Sequence, residues 1–182
     1  MSKKYAVSDA TIAAVTTTAK TMAIVTATAA IRPAVYDYIV GASGTPADNV
    51  MSYALQRFTA AGTTTAKTPN PLDSADLAAI SVCGVDASIE PTKTAATINV
   101  VIPANQRASF RWVAAPDGEF RAPGTAANGI AATVLSPAYT GTAACTLHFM
   151  EAHDSSLEDP SQEWVGCDSI GGEAESWKSG LA

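Results

Sequence analysis

The sequence predicts an all-β protein: an antiparallel β-sandwich, of jelly-roll type, with an extended C-terminal arm. Three observations lead there. Short segments rich in Val, Ile, Thr and aromatic residues alternate apolar with polar positions, the period of a strand with one face in a core. Nine of the ten prolines lie between or beside these segments, and Pro69, Pro71, Pro116 and Pro123 stand next to Gly, Asn or Asp, where turns form. Beyond residue 150 the composition changes: residues 1–150 carry ten Lys/Arg and nine Asp/Glu, whereas 151–182 carry eight acids against Lys178 alone. The division is therefore a sandwich over 1–150 and an acidic arm over 151–182.

Taken in order, strands are expected at 5–15, 21–29, 34–41, 50–59, 80–88, 94–102, 107–115, 129–136 and 142–151. Four of them carry the clearest alternation. Tyr36, Tyr38 and Val40 fall on one face with Asp37 on the other, and Met51, Tyr53 and Leu55 oppose Ser52 and Gln56. Phe110 and Trp112 oppose Ser109 and Arg111, and Cys145, Leu147 and Phe149 oppose Thr146 and His148. Eight or nine short strands with turn signals between them indicate two packed sheets. One helical piece is expected in PLDSADLAAISV at 71–82, where Asp73 or Ser74 would cap a turn or two. The hexapeptide TTTAKT occurs at 16–21 and 63–68, but the flanking residues differ, so it reflects Thr/Ala-rich composition rather than a repeat.

The arm has no regular period and cannot offset its own chain entropy by folding alone. Leu157, Trp164, Val165, Ile170, Trp177 and Leu181 are spaced along it as anchors of an extended segment laid across another subunit. Each such side chain, once buried, contributes on the order of 2 kcal/mol. The alternative is a tail that stays in solvent, against which two tryptophans among Gly, Ser and acids are an odd choice.

Composition narrows the function classes. A body of about 150 residues buries roughly 70% of its unfolded surface without staples. Cys83, Cys145 and Cys167 are too scattered for a zinc ribbon or redox motif, and free thiols in a protein made in the cytoplasm are the expectation. Ser8, Asp9, Thr11 and the Thr16–Thr18 run interrupt any signal-peptide core after Lys3 and Lys4, and no stretch is long and apolar enough for a membrane span. The acidic total argues against nucleic acid as a partner.

Motifs for chemistry are scarce. His148 and His153 stand near Glu151 and Asp154, but five residues apart on an extended chain they point to opposite faces, so no metal site is expected. Asp73/Asp76 and Asp117/Glu119 are read as turn residues rather than a carboxylate couple. Arg107, Arg111 and Arg121 offer a small basic patch or, more simply, solvated strand faces. No catalytic residue, metal or cofactor is expected.

YAVSDATIAAVTTTAKTMAIVTATAA, then GTTTAKTPNPLDSADLAA, and the closing strand TGTAACTLHFMEA together resemble small Ala/Thr-rich virion proteins of tailed bacteriophages. The resemblance covers roughly 5–150 and is to capsid decoration, or cement, proteins. It implies a jelly-roll homotrimer, made in the host bacterial cytoplasm, that binds the outer capsid surface. Its partners would be the major capsid protein and neighbouring decoration subunits, and its role stabilising rather than catalytic. The acidic arm departs from the shortest members of that group, which end near Met150. The alternatives are a head-fibre base, a tail or head-tail adaptor component, or an extracellular carbohydrate-binding module. The last would need a row of exposed aromatics, for which Tyr36, Tyr38 and Tyr53 are the candidates.

Overall fold

The computed structural model describes residues 3–9, 19–43, 45–135 and 142–153, and the statements below concern these. Their regular structure is entirely strand: β1 (Lys3–Asp9), β2 (Lys20–Thr26), β3 (Ile31–Ser43), β4 (Val50–Ala60), β5 (Thr63–Lys67), β6 (Asn70–Pro71), β7 (Val82–Ile89), β8 (Thr92–Asn105), β9 (Phe110–Val113), β10 (Phe120–Arg121), β11 (Gly129–Val134) and β12 (Thr142–His153). Two antiparallel sheets face each other. The first runs β10-β3-β12-β1-β6, with β9 also paired to β3, and the second runs β5-β7-β2-β11-β4-β8.

Set aside the additions and the order is that of a jelly roll: β1-β12-β3-β9 in one sheet and β2-β11-β4-β8 in the other. A strand stands at each of the nine expected places, with residues 10–15 of the first lying outside the described residues. The additions come from two connections. Residues 61–91, between β4 and β8, contribute β5, β6 and β7; β6 extends one sheet beside β1, while β7 extends the other beside β2. β10, in the connection from β9 to β11, pairs with the start of β3.

The inner faces bury Tyr5, Val7, Met22, Val25, Val35, Tyr38, Val40, Met51, Tyr53, Leu55, Ile130, Leu147 and Phe149 in one contiguous core. Tyr5 and Phe149 stack there at 5.6 Å between ring centres. The alternation expected for β12 holds, with Cys145, Leu147 and Phe149 buried; in β4 Met51, Tyr53 and Leu55 are buried as expected, but so is Gln56, expected to face water. β11 is buried at every position, because Ile24, Phe58 and Ala131 form a second small cluster on the outside of its sheet, packed with Ala61. Gly129 lies where β11 is pressed between neighbours: a Cβ there would collide with the Val25 carbonyl oxygen and the Phe58 ring.

Three expectations are corrected. Tyr36 does not share a face with Tyr38 and Val40. The β3–β12 register steps from Asp37 opposite His148 to Val35 opposite Phe149, so Tyr36 is the extra residue of a β-bulge. Val35 and Tyr38 both point into the core as a result, and Tyr36 and Asp37 share the outer face with His148. The segment 71–82 is not helical. Asp73 instead closes a tight turn, its carboxylate accepting from the Ala75 amide at 3.0 Å and its carbonyl from the Asp76 amide at 3.0 Å. The expected strand 107–115 shrinks to Phe110–Val113, because residues 105–108 form a turn in which the Ala108 amide donates to Asn105 O.

Two stability outcomes follow from this packing. The Tyr38 hydroxyl is buried with no hydrogen-bond partner among the described residues, so Tyr38→Phe removes an uncompensated polar group. Chemical denaturation is expected to show unchanged or higher stability, by up to about 1 kcal/mol. Gly129→Ala is expected to lose about 1–3 kcal/mol through overpacking, and an unchanged denaturation midpoint would contradict the packing described.

Candidate functional site

The bulge at Tyr36 sets up a charged cluster on the outer face of β3. Asp37 is turned out of the core, yet its side chain is only 2% exposed, because neighbours on both sides close over it. From β9, Arg111 donates through Nε to Oδ1 at 2.9 Å and through Nη2 to Oδ2 at 2.7 Å. From β12, His148 Nδ1 lies 2.9 Å from Oδ2. Tyr36 stacks on the His148 ring at 6.1 Å, and Lys4 Nζ sits 5.4 Å from the centre of the Tyr36 ring. Four strands, β1, β12, β3 and β9, thus each place a polar or aromatic side chain in one cluster.

Burial pushes the Asp37 carboxyl up, but the hydrogen bonds from Arg111 and His148 outweigh it and hold the group below the usual carboxylate range. Chemically the cluster is an ion pair with a histidine on its flank, and it orients the imidazole as a carboxylate orients a catalytic base. On the same sheet Thr146 Oγ1 is engaged elsewhere, donating to Ser8 Oγ at 3.1 Å.

Arg107, Arg111 and Arg121 do not converge into one patch. Arg111 belongs to Asp37, Arg121 pairs with Glu119 at 3.0 Å, and Arg107 Nε donates to the Pro46 carbonyl at 3.4 Å. Asp117 occupies a turn with φ of 61°. No group of three metal-ligating side chains occurs among the described residues. Of the aromatics considered for carbohydrate binding, Tyr38 and Tyr53 are fully buried, which leaves Tyr36 against His148.

A second feature is apolar. Leu72, Leu77 and Ile80, on the connection between β6 and β7, and Val82, the first residue of β7, are 51%, 71%, 57% and 62% exposed. That loop is held at several points. The Leu72 amide donates to Lys4 O at 2.9 Å and the Tyr5 hydroxyl to Leu77 O at 3.1 Å. Glu151 Oε1 accepts from the Ile80 and Ser81 amides at 2.8 and 2.7 Å, and Ala79 packs against the core. Glu151, first of the acids assigned to the arm, therefore pins this loop, and β12 runs on to His153 rather than ending near 150.

The arm anchors Leu157, Trp164, Val165, Ile170, Trp177 and Leu181 lie outside the described residues. Sequence reading missed the Asp37–Arg111–His148 cluster because its members are separated by 74 and 111 positions. The one local signal was an Asp inside a strand pattern dominated by Tyr, Ile and Val. Comparison of the chain with known protein families, with curated proteins and with solved structures returns no match.

The ion pair carries a pH dependence of definite sign. The folded pKa of Asp37 is depressed, so its stabilisation is complete above the unfolded value of about 4 and is lost as pH falls through the lower folded value. Glu90, held down in the same direction against burial by Lys93 and Thr21, adds to this. Thermal melts are expected to show a plateau above about pH 5 and a decline below it. Asp37→Asn should lie below wild type on the plateau and approach it in acid. Arg111→Ala is expected to lower the melting temperature at neutral pH, since it leaves a buried carboxylate with one partner fewer.

Proposed function

We propose that the chain is a structural virion protein: a homotrimeric decoration protein that binds the outer surface of a tailed-phage capsid and stabilises it without catalysis. The observation that carries this reading is the loop over 72–82. Four large apolar side chains stand in solvent on a segment fixed to β1, β12 and the core by hydrogen bonds and packing. A preformed apolar surface of this kind costs little ordering on binding and favours a protein partner. The jelly-roll order agrees with it, since capsid domains of many viruses use that architecture, although lectins and cupins do so too. The sequence resemblance supplies the partner: major capsid protein and adjacent decoration subunits. No membrane or nucleic-acid contact is part of the proposal.

In this reading the trimer sits where capsomers meet, the 72–82 loop faces the capsid, and the acidic arm reaches a neighbouring subunit. A rigid two-sheet body then couples the two contacts, so that pressure on one capsomer is shared with the next. An imidazole oriented by Asp37 serves to hold β9 and β12 together rather than to move protons.

The test is reconstitution. Capsids lacking the protein, prepared from the phage that encodes it, are mixed with the purified full chain, sedimented, and heated to the point of genome release. Binding that saturates at a multiple of three copies, with a raised release temperature, is the expected result. Absence of binding would overturn the proposal, and attachment only at the portal vertex would favour the adaptor or fibre-base alternative. Leu77→Asp and Ile80→Asp are expected to weaken capsid binding about tenfold or more each. Because both side chains are exposed, denaturation of the free protein should move by no more than about 0.5 kcal/mol.

A further inference from the structure

The two side seams of the sandwich are finished differently. On the β1/β2 side, the 61–91 connection adds strands to both sheets and lays its loop across the gap. On the β8/β9 side, β8 pairs with β4 and β9 with β3, and among the described residues no strand pairs with the other edge of either. Between them runs a groove of about 390 Å³ lined by Asn99, Val100, Ile102, Pro103, Phe110 and Trp112. Val100 and Trp112 pack against the core and form its floor. Phe110, 46% exposed, and Val101, 52% exposed, stand at its rims. An apolar channel beside two unpaired strand edges suits an extended segment that adds backbone hydrogen bonds and seats alternate side chains.

We infer that this groove receives the stretch around Trp164 from the C-terminal arm of a neighbouring copy of the chain. The inference rests on the arm's role as an inter-subunit tie and names the surface to which it ties. The length of the arm and its point of departure decide the occupant. β12 leaves off at His153, opposite Ile31 of β3, whereas Phe110 at the groove lies opposite Val40. Nine residues of strand separate those points, about 30 Å, and two strand spacings add a sideways shift of about 10 Å. Trp164 is eleven residues past His153, a reach of about 36 Å at full extension. Filling its own groove would draw residues 154–163 taut around the sheet edge, while a groove on an adjacent copy imposes no such limit.

Sequence matches the groove as well. In an extended segment Trp164 and Ile170 fall on one side, with Val165 and Cys167 on the other. Arg107, exposed at the turn joining β8 to β9, offers a cation to a segment that carries Glu163 and Asp168.

Cys167 makes the inference testable in the full chain. Burial pushes the Cys83 and Cys145 thiols far up and leaves them unreactive. With Asn99→Cys, mild oxidation of the concentrated protein should link the introduced thiol to Cys167 of another copy. Non-reducing gels would then show covalent oligomers, with the linked peptides confirmed by mass spectrometry. Cys167→Ser should abolish the product and Trp164→Asp should lower its yield about tenfold. Linkage within a single chain, no linkage at all, or linkage indifferent to Trp164→Asp would each overturn the inference. Capsid reconstitution is read separately. Protection of capsids without the cross-link sinks the groove assignment alone, and cross-linked oligomers that ignore capsids sink the capsid reading alone.

Discussion

A carboxylate set on a tightly paired strand is the constraint around which one whole sheet is arranged. In a regular β3, Asp37 would follow Val35 onto the core face, where an unpaired charge is not tolerated. The extra residue at Tyr36 turns it outward instead and still returns Tyr38 to the core. Outside the core the charge needs partners, and they come from β9 and β12. β9 is four residues long and, among the described residues, pairs on one side only, so the two-pronged contact from Arg111 aligns a strand whose backbone pairing alone would hold it weakly. The same strand presents Phe110 and Trp112 to the open seam, which ties the position of that groove to a charge on the far side of the sheet.

The two sheets differ in how they meet water. The β2/β11 centre of one is covered on its outer face by Phe58, Ile24 and Ala61 and by the Glu90–Thr21–Lys93 contacts, so it behaves as an interior strand pair. The β1-β12-β3 sheet instead carries its polar cluster and its hydroxyls outward. This asymmetry explains why alternation was plain in β12, whose outer face is polar, and weak in β2 and β11, which are apolar on both faces and were recognised by Ile, Val and Thr content and flanking turns.

Long strands with one wet face were legible in the sequence because burial imposes period two on them. The short ones were not. β6 and β10 have two residues each and β5 is largely Thr, too little for any pattern to stand out. The 71–82 segment looked helical because Asp73 or Ser74 could cap a turn just after Pro71. Without a core surface beneath them, Leu72, Leu77 and Ile80 stay exposed and the chain takes an Asx turn tied down by Tyr5 and Glu151. Tyr36 was misplaced for a similar reason, since a bulge inverts parity without leaving a mark in composition. The charged cluster depends on pairings across the full length of the chain, which no local window reports.

The connection from β4 to β8 departs and returns at one place: Ala60 and Thr92 face each other across paired backbone. Thirty-one residues thus leave and rejoin the ladder at one point, with β6 and β7 pairing to β1 and β2 in between. A segment rooted in this way can lengthen, shorten or change its outward side chains while the strand order beneath it stays the same. For a scaffold of this kind, that is where a new recognition surface, whether inherited or grafted, is most readily accommodated.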